Sequence, residues 1–240
     1  MKSYFLPGRF FKKKWVWFED PHDVNDADMV TFFSYSNVEA PGFMRSAGIT
    51  SVIDLRQPLQ TIWEKMRKDF IRLQIERGSR QGIIVKQDDS FDMFRAVLEE
   101  FRASKGLQQQ DYSVFREHGI LFSAYLNGEM IAGGIFIGDE AHLRVWMLAS
   151  KRLQDKTLKQ RVGEANRMIL WEAIKYAKEH DMALFDFCGL DMPEKEGDAM
   201  PSLTVYKEAF GGERRGQYYY TKIYSLPLRL LIQIKNAAKL

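Results

Sequence analysis

Three apolar runs separated by two short turns occupy the middle of the chain, where residues 121–149 have the sequence LFSAYLNGEMIAGGIFIGDEAHLRVWMLA. Asn127-Gly128 lies between the first two runs, and this dipeptide is the strongest short-range signal for a two-residue β-hairpin. Gly138-Asp139 precedes the third run. The stretch therefore predicts three consecutive antiparallel strands.

Helix and strand patterns continue on both sides of these strands. Apolar residues recur at helical spacing after Pro58, and Gly78 follows them as a helix-ending signal. The predicted strands cover residues 50–55, 82–86, 121–126, 130–137, 143–149, 184–187 and 217–224, with one or two more in 4–18. The predicted helices cover residues 59–77, 91–101, 162–180 and 203–210, with a terminal helix from 226. This order predicts an α/β fold whose central sheet is mixed, mostly antiparallel and flanked by helices.

The composition is that of an ordinary globular protein, with 240 residues of which 45% are apolar and 28% are charged. The single cysteine, Cys188, excludes an internal disulfide and a cysteine zinc site. The four histidines are scattered without metal-ligand spacing, so no metal site is predicted. A net charge of +3 gives no reason to expect binding to DNA.

Every apolar run is shorter than the roughly 20 residues that a membrane-spanning helix needs. The first residues also lack the apolar region and cleavage site of a signal peptide. We therefore expect a cytoplasmic protein, either free in the cytosol or peripheral at the inner face of the membrane.

The length favours one domain with an appendage. We expect a reduced N-terminal part at 1–50 packed on the core, a core at 51–225 and an amphipathic helix at 226–240. The helix has two interpretations, docking on an anionic membrane surface or ordinary packing on the domain. The membrane interpretation is based on Leu228, Leu231 and Ile232, which lie beside Arg229, Lys235 and Lys239 in the sequence.

Residues 160–165, Gln-Arg-Val-Gly-Glu-Ala, are predicted to lie where the long helix begins. Small residues let backbone N–H groups approach a phosphate, and a helix N-terminus adds about half a positive charge. Arg161 and Arg167 add side-chain charge. The pattern Gln/Arg-x-x-Gly-x-Gly/Ala resembles the acyl-CoA pyrophosphate loop of Gcn5-related N-acetyltransferase (GNAT) enzymes. Its alternative interpretation is an ordinary helix start.

Other segments carry a more specific resemblance. They are Asn166 followed by RMILWEAIKYAKEH, residues 185–189 (FDFCG), residues 206–212 (YKEAFGG), the hairpin at 124–134 and residues 63–68 (WEKMRK). Together they resemble the Fem-like branch of the GNAT superfamily, which includes the peptidoglycan interpeptide-bridge aminoacyltransferases. The resemblance spans residues 52–224 and departs from the family at Cys188, where a glycine is usual.

The resemblance implies an N-acyltransferase that moves an activated acyl or aminoacyl group to an amine by direct attack of that amine. The donor is either acyl-CoA or aminoacyl-tRNA, used as a substrate and not bound permanently. The acceptor is an amine of a cell-envelope sugar or a peptidoglycan-type precursor. The alternatives are a non-catalytic GNAT-like binding module and a small-molecule, acetyl-CoA-dependent N-acetyltransferase.

Acyl transfer needs a neutral amine, an oriented carbonyl and stabilisation of the oxyanion. We expect Lys207 to supply a cation near the donor phosphate or the oxyanion, and Asp186 to take the acceptor's proton or orient its amine. Strands that splay after Leu143 leave backbone N–H groups for the donor. The residues expected to bind the donor are Gln160, Arg161, Gly163, Ala165 and Asn166. The residues expected to bind the acceptor are Arg72, Arg144, Trp146 and Tyr206.

Several of these residues also have a purely structural interpretation. Lys207 suits a solvated helix face, Asp186 a loop cap and Trp146 core packing. Arg72, with Arg67 and Lys68, forms either a phosphate-binding face or a solvated helix side. The sequence has no Gly-x-Ser-x-Gly motif and places its lone cysteine among apolar residues, so we expect no covalent intermediate.

Overall fold

A computed structural model describes residues 2–104, 106, 112–151, 156–193 and 199–237. The chain divides into two compact units. The larger is Ser51–Arg214, and the smaller combines Met1–Thr50 with Arg215–Leu240. No helix among the described residues is both long and apolar enough to cross a bilayer.

The larger unit contains both strands and helices. Its strands are the end of β4 (Met44–Asp54), β5 (Ile84–Asp88), β6 (Ile120–Leu126), β7 (Glu129–Gly138), β8 (His142–Ser150) and β9 (Leu184–Gly189). Its α-helices are α1 (Leu59–Lys65), α2 (Leu73–Arg80), α3 (Phe91–Ser104), α4 (Ser113–His118), α5 (Lys156–Glu179) and α6 (Ser202–Glu208). The strand order is β4-β9-β8-β7-β6-β5.

The smaller unit contains β1 (Lys2–Leu6), β2 (Lys13–Trp17), β3 (Met29–Ser34), most of β10 (Glu213–Ile223) and α7 (Leu226–Ala237). Its strand order is β1-β2-β3-β10-β4. The core was predicted to extend to residue 225, whereas the larger unit ends at Arg214. From Tyr218 onward, β10 pairs with β3. The sequence pattern did not predict β3.

The predicted α/β class is confirmed, as is the mixed and mostly antiparallel pairing. The pairs β1/β2, β3/β10, β5/β6, β6/β7 and β7/β8 are antiparallel, and β2/β3 and β8/β9 are parallel. The turn between β6 and β7 has positive φ at both Asn127 (52°) and Gly128 (80°), which a type I′ hairpin requires.

Helix α5 supplies the centre of the larger unit's core. Ala165, Ile169, Ala173 and Ala177 are fully buried and recur every four residues along one face of the helix. This face belongs to a cluster that also contains aromatic rings from the strands, including Phe185. The small alanines allow close packing of the helix on the sheet.

The helix predicted over residues 59–77 is broken into α1, a π-helical segment (Lys68–Arg72) and α2. The break occurs where the Arg67 N–H donates to the Ala209 carbonyl at 2.9 Å instead of continuing the helix. The sequence predicted that Gly78 ends the helix, but it does not. It lies within α2, where an added Cβ would lie 2.6 Å from the Met168 Sδ. Gly78 therefore permits the close contact between α2 and α5.

Two glycine-to-alanine changes should have opposite effects on stability. A Cβ at Gly133 of β7 would overlap the ring of Phe94, so Gly133→Ala should lower the free energy of unfolding by about 1–3 kcal/mol. A Cβ at Gly163, inside α5, meets only the Arg167 Nη1 at 3.4 Å. Gly163→Ala should therefore raise the free energy of unfolding by up to about 1 kcal/mol. Urea unfolding measures both, and a destabilised Gly163→Ala variant would contradict the helical assignment.

Candidate active site at the β8–β9 fork

Strands β8 and β9 are paired at their beginnings only. Their parallel register covers His142–Leu184, Leu143–Phe185 and Arg144–Asp186. Beyond Arg144 the two strands diverge and form a fork. The splaying predicted after Leu143 is therefore present, displaced by one residue.

A β-bulge modifies β8 immediately after the fork begins. Val145 pairs with Phe136 and Met147 pairs with Ile135, so Trp146 is the extra residue on β8. A bulge re-aims side chains and locally bends the strand. Leu143 and Val145, on either side of Arg144, belong to one core cluster, whereas Trp146 and Met147 both pack against another.

The base of the fork is closed by a buried ion pair between Arg144 and Asp186. The side chains are 1% and 0% exposed, and the Arg144 Nη1 donates to the Asp186 Oδ2. The other carboxylate oxygen, Asp186 Oδ1, accepts from the Cys188 N–H at 2.7 Å. The Arg144 Nη2 lies 3.3 Å from the Cys188 Sγ. These contacts tie β8 to the end of β9.

This arrangement corrects two predicted roles. Asp186 was expected to take the acceptor's proton or orient the amine, but both of its oxygens are engaged and its side chain is inaccessible. Arg144 was expected to line the acceptor cleft, but it too is buried. Both residues instead position the strands around the fork.

Cys188 occupies a position where the backbone is left-handed, with φ of 69°. This conformation favours glycine, and a non-glycine residue adopts it at a cost. The hydrogen bond from the Cys188 N–H to Asp186 stabilises it here. Cys188 thus has a backbone conformation that suits glycine, the residue usual here in the family that the sequence resembles, and it adds a thiol. The lone cysteine also has a polar neighbour, Arg144, contrary to the expectation of apolar surroundings.

A pocket of about 430 Å³ opens between β8, the end of β9, α5 and α6. Five of the residues predicted from the sequence line it: Trp146, Gly163, Asn166, Tyr206 and Lys207. Cys188, Arg167 and several apolar side chains, including Phe101 and Met147, complete the lining. Cys188 had no predicted role, although its place directly after Asp-Phe at a strand end was a signal for it. No Asp or Glu occurs among the described residues that line the pocket.

Lys207 lines the pocket and is hydrogen-bonded to the last residue of β9. Its Nζ donates to the Gly189 carbonyl at 2.5 Å. Burial has the largest effect and lowers the pKa of Lys207, while Cys188 and Asp191 act in the opposite direction. The amine is therefore held in place, with a weaker preference for the charged form than a lysine in water has.

Asn166 and Tyr206 each bring an unsatisfied oxygen to the pocket wall. The Asn166 Oδ1 and the Tyr206 hydroxyl are buried and find no hydrogen-bond partner in the described part of the chain. Burial raises the pKa of Tyr206 far above its usual range, so its phenol remains protonated and can donate. The Arg167 guanidinium lies 5.0 Å from the centre of the Tyr206 ring and donates to the Phe70 carbonyl at 2.7 Å.

The predicted phosphate loop is wrong in its local structure. Helix α5 begins at Lys156, so residues 160–165 lie inside the helix and not at its N-terminus. Only the first four N–H groups of a helix lack intrahelical partners, so these residues have no free N–H groups for a pyrophosphate. The polar sequence around Gln160 concealed the first turn of the helix.

The remaining predicted binding residues lie outside the pocket lining. Gln160 and Arg161 contact the buried Glu164, at 3.2 Å and 3.1 Å, and Ala165 is in the core. Arg72 ends the π-helical segment. Among the described residues, no group of three or more His, Cys, Asp or Glu side chains is placed to hold a metal ion.

The buried ion pair should be worth far more than an exposed one. Arg144→Met leaves the Asp186 carboxylate buried without its partner, so we expect the free energy of unfolding to fall by about 3–5 kcal/mol. The double variant Arg144→Met/Asp186→Leu should lose less than the sum of the two single changes. Arg56→Met, which breaks an exposed pair with Asp54, is the control and should cost at most about 1 kcal/mol. Additive losses in urea unfolding would contradict direct coupling of the pair.

Comparison with known proteins identifies the fold. No protein-family model and no curated protein matches this chain. Solved structures do match. One is FemX, with a TM-score of 0.60 at 13% identity over 86% of this chain and 74% of that one. Another is the C-terminal domain of a putative lysylphosphatidylglycerol synthetase from Agrobacterium fabrum, with a TM-score of 0.56 at 11% identity over 87% and 71%. A third is L-PGS from Bacillus licheniformis, with a TM-score of 0.50 at 15% identity over 86% and 72%.

These similarities are similarities of fold. They agree with the resemblance found in the sequence at the hairpin, along α5 and at the end of β9. The chain shares its fold with FemX, with the putative lysylphosphatidylglycerol synthetase domain and with L-PGS.

Proposed function

We propose that the protein is an N-acyltransferase in which an acceptor amine directly attacks an activated acyl or aminoacyl group held in the pocket at the β8–β9 fork. The observation that carries the proposal is the fork itself, because it opens a pocket at the point where β8 stops pairing with β9. Backbone groups beyond Arg144 then face the pocket instead of a neighbouring strand. An extended acyl donor fits such an opening by taking the place of the missing strand.

Lys207 has the properties of an oxyanion stabiliser. Attack on an ester or thioester carbonyl converts its oxygen into an oxyanion, which a fixed cation in a partly dry site stabilises strongly. Lys207 is fixed by the Gly189 carbonyl and lies in the pocket wall with Tyr206. The neutral phenol of Tyr206 offers a second donor for the same oxygen.

The reaction balances without a covalent enzyme intermediate. The amine nitrogen forms a bond to the carbonyl carbon, the bond from that carbon to the leaving oxygen or sulfur breaks, and the proton lost by nitrogen passes to the leaving group. The described lining contains no carboxylate to act as a base, so the leaving group is the simplest final proton acceptor. Asp186 supports this chemistry indirectly, by holding the end of β9.

For the donor, we favour an aminoacyl ester at the 3′ end of tRNA over acyl-CoA. The case for acyl-CoA depended on free N–H groups at residues 160–165, and these residues lie inside α5. The fold shared with FemX supports the aminoacyl donor by analogy. For the acceptor, we propose an amine of a cell-envelope sugar or peptidoglycan-type precursor.

Replacing Lys207 by methionine removes its charge but keeps an unbranched side chain, so it tests the contribution of the charge to catalysis. Lys207→Met should reduce kcat for aminoacyl transfer to a nucleotide-linked peptidoglycan precursor by about 100- to 1,000-fold. Lys175→Met, on the part of α5 outside the pocket, is the control and should retain activity. Equal activity of Lys207→Met and the wild type would reject catalysis by this lysine, and loss in both variants would point to a general folding defect.

The pH profile gives an independent readout for Lys207. Burial lowers the pKa of Lys207, so the charged form should be lost on raising the pH at a lower value than for a lysine in water. The transfer rate of the wild type should therefore fall as pH rises through that pKa. Lys207→Arg keeps its charge at all accessible pH values and should lack this alkaline loss, although its activity is reduced by the altered geometry. An alkaline loss of the same shape in both would assign it to another group.

Ligand-induced stabilisation distinguishes the two donors. A ligand at a hundredfold excess over its Kd should stabilise the native state by about 2.7 kcal/mol, which is several degrees in Tm for a protein of this size. We expect this increase with a non-hydrolysable aminoacyl-adenosine and no increase with acetyl-CoA. The reverse result would favour the acetyl-CoA-dependent N-acetyltransferase. Stabilisation by either ligand without turnover would favour the non-catalytic binding module.

A further inference from the structure

Helix α7 carries apolar side chains on two opposite sides. Leu228 is 4% exposed, so this side of the helix is buried. Ile232 is half-buried. Leu226, Leu230, Leu231 and Ile234 are exposed, with exposed fractions of 63%, 51%, 53% and 66%. A surface helix normally has one apolar face, so the second one is in excess of what the fold of the unit uses.

The exposed apolar residues form one continuous surface, the α7 outer face. At about 100° per residue, Leu226, Leu230, Ile234 and Leu231 span an arc of about 140°. Leu228 lies on the opposite side of the helix. A contiguous exposed apolar surface of this kind typically marks an interaction site.

The charges of the α7 segment indicate what kind of surface the α7 outer face binds. Residues 226–240 contain three basic residues, Arg229, Lys235 and Lys239, and no acidic residue. Arg229 is exposed, and its Nη2 donates to the Ile223 carbonyl at 2.9 Å, at the start of the helix. A broad apolar face with basic residues and no acidic ones is complementary to an anionic lipid surface, where the apolar side chains enter the acyl boundary and the cations meet the headgroups.

A second element of the same unit has the same combination. Phe10 is 80% exposed, and the Arg9 guanidinium lies 5.7 Å from the centre of its ring. Residues 7–12, which connect β1 to β2, contain two basic residues, Arg9 and Lys12, and no acidic one. Exposed aromatic rings next to cations are typical of residues at a membrane interface.

We propose that the α7 outer face is a docking site for the surface of an anionic phospholipid membrane. Leu226, Leu230, Leu231 and Ile234 enter the interface, and Arg229 contacts the headgroups. This corrects the residues expected from the sequence, because Leu228 is buried and Ile232 is half-buried, whereas Leu230 and Ile234 are exposed with Leu231. The proposal concerns the smaller unit and does not depend on the transfer reaction.

Sedimentation of the whole protein with lipid vesicles tests the proposal. We expect binding to vesicles that contain phosphatidylglycerol, weaker binding to pure phosphatidylcholine, and a decrease at high salt. Leu230→Gln/Ile234→Gln should reduce the partition coefficient by at least about tenfold, because two apolar side chains become polar. Arg229→Gln should reduce it by about fivefold.

A matched double variant keeps the test specific. Leu73→Gln/Met93→Gln also changes two exposed apolar residues to glutamine, but on α2 and α3 of the larger unit, and it should bind vesicles as the wild type does. The far-ultraviolet spectrum and Tm establish that each variant is folded. Absence of vesicle binding by the wild type, or equal binding by Leu230→Gln/Ile234→Gln, would overturn the proposal. A concentration-dependent dimer that this variant abolishes would assign the surface to a second copy of the chain instead.

Discussion

The buried ion pair between Arg144 and Asp186 is the constraint on which the rest of the site depends. A buried charge that loses its partner is strongly destabilising, so Arg144 and Asp186 stabilise each other. They connect β8 to β9 at the last residue pair that the strands share. Beyond this residue pair the two strands are no longer paired, so the ion pair lies where the fork begins.

The pocket follows from that geometry. Past the ion pair, the bulge at Trp146 redirects one side of the fork, and the left-handed backbone at Cys188 turns the other. Helix α5 and helix α6 then close the space between them with Asn166, Tyr206 and Lys207. Strain at Cys188 is tolerated because Asp186 accepts its N–H, so the same carboxylate stabilises both the pairing and the turn.

Local patterns in the sequence were sufficient for much of this structure. The Asn127-Gly128 hairpin was predictable because the turn chemistry is contained in two residues. Five pocket residues were also identified, through family resemblance and the fork that it implied. The start of α5 was missed because polar residues near Gln160 resemble a loop, although the helix continues through them. The Arg144–Asp186 pair was hidden because its members are 42 residues apart and their contact exists only in the folded sheet.

The central claim is that the pocket at the fork holds the acyl donor, and Cys188 allows a direct measurement because it is the only cysteine and lines that pocket. The rate of Cys188 alkylation by iodoacetamide should be followed with and without a non-hydrolysable aminoacyl-adenosine that mimics the 3′ end of charged tRNA. We expect a saturating amount of this ligand to slow alkylation by at least about tenfold, since occupancy removes access to the thiol. An unchanged alkylation rate, with binding of the ligand established by calorimetry, would place the donor outside this pocket.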